Sequence, residues 1–122
     1  MSDIAFIILY VEDVAASEAF YARTLGRPAI ESSPGFAMIP AAPGVVLGLW
    51  RRDEVRPDAR APGGAEVAFA LEDEASVDAA HAQWRDRGVG IAQTPTRMDF
   101  GYTFLALDPN GHRLRVFAPG AH

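Results

Sequence analysis

Apolar and polar positions fall into blocks along this chain, and the order of the blocks occurs twice. Residues 5–11, Ala-Phe-Ile-Ile-Leu-Tyr-Val, are continuously apolar, the pattern of a strand covered on both faces. Asp13 then offers an N-cap carboxylate to a helix carrying Val14, Ala16, Phe20, Tyr21 and Leu25 near one stripe, and Gly26 ends it. Short strands are predicted at 28–31, 36–39 and 45–50, with Pro34-Gly35 and Pro43-Gly44 as turns. The second half repeats the order. A strand at 66–71 leads into a helix at 74–87 with Val77, Ala80, His81 and Trp84 on one stripe, stopped by Gly88. Strands follow at 90–93, 101–107 and 113–117, the last two joined by a tight turn at Asp108-Pro109-Asn110-Gly111.

The two halves share an anchor, Val11-Glu12-Asp13 in the first and Leu71-Glu72-Asp73 in the second. The layout is β-α-β-β-β written twice, an α+β class. It fits one domain, 1–122, with a first unit at about 4–50 and a second at 65–118. Residues 51–64 hold Pro57, Pro62, Gly63, Gly64 and many charges, and read as a linker. A unit this small cannot bury its apolar face alone. The expected site therefore lies where the units, or their sheets, come together around a cavity.

Bulk properties narrow the classes. The net charge of −5 and pI near 5.0 argue against nucleic acid as a partner. With no cysteine, the chain excludes disulfides, thiolate chemistry and Cys-ligated zinc. Met1-Ser2-Asp3 carries no basic region, and the apolar run at 4–11 is too short for a signal core or a membrane span. A cytoplasmic protein with no membrane partner is expected.

Three phrases carry a resemblance: Val11-Glu12-Asp13, then Phe20-Tyr21 with Leu25-Gly26, and the closing Asp108-Pro109-Asn110-Gly111 before Leu114. Placed on this layout, they make the chain similar to the vicinal oxygen chelate superfamily, the group of glyoxalase I, the extradiol dioxygenases and the bleomycin-resistance proteins. The resemblance implies curved, half-open sheets around a cavity, and a homodimer. It also implies that enzymes of the group hold one divalent metal through the first and last strands of the two units. Counted from the motifs, those positions fall on Phe6, Gly48, Glu66 and Arg115. Only Glu66 is a possible ligand, since a guanidinium has no lone pair to give. His81, His112 and His122 form no HxxxH or HxH pair. No metal, cofactor or catalytic residue is therefore assigned. Two readings of Glu66 and Arg115 stay open: a structural ion pair, or a pair that polarises a ligand.

Strand alternation extends these positions. Phe6 brings Ile8 and Tyr10 to its face, Gly48 brings Val46 and Trp50, Glu66 brings Ala68 and Ala70, and Arg115 brings Arg113 and Phe117. Phe36 and Met38 form another pair, and Phe100, Tyr102 and Phe104 alternate after Met98. Small residues leaving room among flat ones suit a planar aromatic ligand, with Arg113 or Arg115 for a carboxylate. Phe20, Tyr21, Trp84 and Phe117 read as core. Residues 47–50, 99–104 and 111–117 resemble the phenazine-sequestering resistance proteins of the superfamily. The function implied is metal-independent sequestration of a planar aromatic antibiotic. The alternative is a metal-dependent lyase or oxygenase acting on a small metabolite.

Overall fold

The computed structural model describes residues 3–120. Met1, Ser2 and His122, named above, lie outside the described residues. The chain divides into two compact units, 1–61 and 62–122, each a four-stranded mixed sheet with one helix on one face. The α+β class and the doubled βαβββ order are as predicted.

In the first unit, β1 (Phe6–Val11) is followed by α1 (Val14–Leu25), β2 (Glu31–Ser32), β3 (Phe36–Ala42) and β4 (Val45–Arg51). The sheet order is β1-β4-β3-β2, with β1 parallel to β4 and the other pairs antiparallel. Asp13 caps α1 by accepting from the Ala16 amide at 3.1 Å, a contact worth about 1 kcal/mol. Gly26 closes the helix at φ 68°, where its amide reaches the Ala22 carbonyl. The buried stripe of α1 is Val14, Ser17 and Tyr21, at spacings of three and four; Ala16, predicted on this stripe, is exposed. Helix and sheet enclose Val11, Ala37, Ile39, Leu47 and Leu49, all at most 4% exposed.

Three sequence expectations change here. The first strand is not covered on both faces: β1 is an edge strand, and Phe6, Ile7 and Ile8 are 43%, 38% and 43% exposed. The third strand runs through Pro40 instead of stopping there. Pro40 lacks an N–H, but β2 pairs only with Ala37 and Met38, so at Pro40 the outer side of β3 is a free edge. The stretch read as a linker is partly built. Arg51 belongs to β4, a 3-10 turn spans Arg52–Glu54, and Val55 is buried.

The second unit repeats the plan with β5 (Glu66–Ala70), α2 (Glu74–Asp86), β6 (Gly90–Met98), β7 (Gly101–Leu107) and β8 (Arg113–Pro119). Its order, β5-β8-β7-β6, is the same topology. Asp73 caps α2 by accepting from the Ser76 amide at 2.8 Å; the Ser76 side chain first, and then this amide, lower the Asp73 pKa. Trp84 packs edge-on against Phe69 and Phe104 and closes the core under α2. β6 is more than twice the predicted length and carries Pro95; as the outer strand, with register shifts near Gln93 and Thr96, it accommodates a residue that cannot donate. The Asp108 loop is organised by the Asp108 carboxylate, which accepts from the Asn110 and His112 amides, both at 2.8 Å. Positive φ is needed only at Gly111. Among the described residues no helix is long and apolar enough to cross a membrane.

Candidate functional site

Each sheet has a helix on one face; the other, the open face, carries no helix of its own unit, although Thr103 and Leu105 on it are buried. Register decides which side chains share the open face. In the first unit Phe6, Ile8 and Tyr10 of β1 pair with Val46, Gly48 and Trp50 of β4, and β3 sets Phe36, Met38 and Pro40 against Trp50, Gly48 and Val46. These positions alternate with the helix-covered Leu47, Leu49, Ala37 and Ile39, so they lie on the open side. All six positions proposed from the sequence in this unit, Phe6, Ile8, Phe36, Met38, Gly48 and Trp50, are brought to that side.

Gly48 makes room on this face for a neighbouring ring. A Cβ there would stand 2.8 Å from Phe36 Cζ and 3.3 Å from Ile8 Cγ1, so the phenyl ring occupies the space a side chain would take. Tyr10 and Trp50 meet edge to face with centroids 6.1 Å apart. The result is an apolar aromatic floor across three strands.

The second unit's open face is different in kind. Arg115 donates from Nε to Glu66 Oε1 at 2.8 Å and from Nη2 to Glu66 Oε2 at 3.0 Å, a two-point fork. Its Nη1 donates to Gln93 Oε1 and to Thr103 Oγ1, each at 3.2 Å. Thr103, wholly buried, donates its own hydroxyl proton to the Val116 carbonyl at 2.8 Å. The Arg115 guanidinium also lies 5.7 Å from the Phe100 ring centre. Arg113 reaches Glu66 Oε2 at 3.1 Å. The Arg115 hydrogen bonds hold the Glu66 carboxyl below its ordinary 4.5, against partial burial, and the charges of Arg115 and Arg113 act in the same direction. Ala68 and Ala70 pair with Arg115 and Phe117 and leave a low shelf beside this cluster.

Two sequence proposals are corrected. Tyr102 and Phe104 do not lie on the open face. β7 pairs Thr103 with Phe117 and Leu105 with Arg115, so the even positions turn toward α2. Phe104 is fully buried between His81 and Trp84, and the Tyr102 hydroxyl donates to Asp78 of α2 at 2.7 Å, which raises its pKa. Phe100 escapes the parity of its neighbours because the turn at Gly101, φ 146°, swings it to the open side. There it meets Phe117 at 5.9 Å, so Phe117 is an open-face residue and not core. Gln93 and Thr103 escape the sequence reading, although their polarity between apolar neighbours is a signal for them.

The residues at the superfamily's chelating positions do not fit a divalent metal. Phe6 and Gly48 bring no side-chain donor, Arg115 is a cation, and both oxygens of Glu66 already accept from guanidinium groups. Among the described residues no three His, Cys, Asp or Glu side chains cluster as a metal site. A polar hollow in the first unit, lined by Glu12, Arg52, Asp53, Arg56, Asp58 and Ala59, is bordered by its own pairs, Arg51 with Asp53 at 2.9 Å and Arg56 with Asp58 at 3.4 Å.

Fold and site define a two-unit member of a known class. A family profile described as the Glyoxalase/Bleomycin resistance protein/Dioxygenase superfamily matches residues 3–116, and the chain belongs to that superfamily. It is similar to the phenazine antibiotic resistance protein EhpR of Enterobacter agglomerans, 27% identical over 112 residues that cover 89% of this chain and 86% of that protein. Its fold matches a protein of Agrobacterium tumefaciens solved in solution by NMR, with TM-score 0.91, 47% identity, and coverage of 99% of this chain and 100% of that one. A glyoxalase/bleomycin resistance protein/dioxygenase from Nocardioides matches with TM-score 0.81 and 28% identity, over 98% of this chain and 84% of its own.

Proposed function

We propose that this protein binds and sequesters a planar aromatic small molecule of phenazine type, as a drug-resistance protein, with no metal and no turnover. The observation that carries the reading is the first unit's open face, where Gly48 makes room for the Phe36 ring and Ile8, with the Tyr10–Trp50 pair on the same side. Stacking on such a floor contributes about 0.5–1.5 kcal/mol per aromatic pair beyond the area buried. The similarity to a phenazine resistance protein supports the ligand class. The engagement of Glu66 by Arg115 supports binding without metal.

Tryptophan fluorescence tests it. Trp50 is on the open face and Trp84 is buried under α2. Phenazine is expected to quench emission saturably, at one molecule per chain, in the presence of a chelator. Trp50→Ala should weaken binding about tenfold, while Trp84→Phe retains it. Quenching that fails to saturate, or that depends on added metal, rejects the proposal.

The working form in this reading is a homodimer. Ile4, Phe6, Ile7 and Ile8 expose apolar surface on both faces of the β1 edge, a combination soluble chains cover. Sedimentation equilibrium is expected to give twice the 13.1 kDa chain mass. A monomer at micromolar concentration would contradict it.

A further inference from the structure

We infer that Arg113 is the specificity-determining residue for a ligand carboxylate, so that the preferred ligand is an anionic planar aromatic. This extends the aromatic-binding role proposed above to the second unit's own open face and rests on it.

The two guanidinium groups beside Glu66 are not equivalent. Arg115 is fully employed. Its Nε, Nη1 and Nη2 all donate to protein acceptors, and its side chain is only 14% exposed. It acts as a tie between β5, β6, β7 and β8. Arg113 makes a single ion pair, from Nη2, and its side chain is 40% exposed. Its Nε is buried with no acceptor, the one such side-chain atom among the described residues. A guanidinium offers five donors in a planar fork. Arg113 therefore keeps most of its donor capacity while part of it is already removed from water.

Charge points the same way. Two guanidinium groups face one carboxylate, so the Glu66, Arg113 and Arg115 cluster carries +1 on a chain whose net charge is −5. The missing partner is one negative charge with two acceptor oxygens, which is a carboxylate. The neighbourhood supplies a place for the rest of such a molecule. Arg113, Arg115 and Phe117 follow one another on the open side of β8, roughly 13 Å from first to last at the strand rise. Ala68 and Ala70 lie alongside and are exposed, and Phe100 stands against Phe117. A flat ring system on this shelf, with an aromatic edge at Phe117, directs a substituent toward Arg113.

Titration calorimetry with two isosteric probes separates charge from shape: phenazine-1-carboxylate and phenazine-1-carboxamide. The native protein is expected to bind the carboxylate about tenfold more tightly. Arg113→Gln should bring the two affinities together by weakening the carboxylate alone, and Arg97→Gln, a cation paired with Glu74, should leave the preference intact. Equal affinities in the native protein, or a preference that survives Arg113→Gln, overturn the assignment while leaving aromatic binding in place. Failure of both probes to bind rejects the binding role itself. If Arg113→Gln does not fold, the native carboxylate-to-carboxamide ratio decides together with Arg113→Lys, which keeps charge without the fork and should lose part of the preference.

Discussion

Gly101→Ala is expected to cost about 4 kcal/mol or more, a large share of the stability of a domain of this size. A Cβ at Gly101 would stand 2.0 Å from the Ala118 carbonyl oxygen and 2.9 Å from the Gly120 amide nitrogen. Neither can retreat cheaply, because Gly101 and Tyr102 pair with Pro119 and Ala118 in the β7–β8 ladder. The φ of 146° adds strain for any residue with a side chain. Urea denaturation measures the loss. Gly64 is the control: a methyl group there would meet no heavy atom within 4 Å, and its φ is not positive. Gly64→Ala should change stability by less than about 1 kcal/mol. A cost at Gly101 as small as the control's would mean that the hairpin relaxes and that Phe100 is not held on the open face.

Arg115→Met carries the next largest effect, about 3 kcal/mol. Removing one partner strands Gln93, Thr103 and the Glu66 fork together. The figure sits at the low end for a broken charge pair because Glu66 is 31% exposed and retains Arg113. Acid dependence gives a second readout. The folded-state pKa of Glu66 lies below its ordinary 4.5, so its contribution is complete above that value and is lost as pH falls through the folded one. In Arg115→Met that acid-side loss should shrink. Stability within about 1 kcal/mol of native, with an unchanged acid limb, would show that the pair is not a tie between strands.

Much of this arrangement is legible in the sequence. The doubled order of elements follows from the caps at Asp13 and Asp73 and the stops at Gly26 and Gly88. The open face of the first unit follows from period-two alternation once Phe6 and Gly48 are placed, because the pairing of β4 with β1 is regular throughout and with β3 is regular from Phe36 to Pro40. The second unit defeats the same rule at one point. Tyr102 and Phe104 share the spacing of Phe100, yet Gly101 breaks the alternation between them. A loop centred on Asn110 already pairs Leu105 with Arg115, and counting outward from it puts Thr103, not Tyr102, beside Phe117. The Glu66–Arg115 fork is visible as opposite charges on parallel strands. Its extension to Gln93 is not, because β6 reaches that residue through a register shift that no local pattern announces. Exposure of β1 is equally hidden, since an apolar run reads alike whether helix, sheet or a second chain covers it.

The most direct test of an open-face binding role is a map of backbone amide shifts as phenazine is titrated into the chelated protein. The expected result is saturable change at one molecule per chain, concentrated on the β1, β3 and β4 positions around Gly48, with α1 and α2 unmoved. Shifts confined to the polar hollow around Arg52 and Arg56, or no saturable shift without a divalent metal, would contradict it.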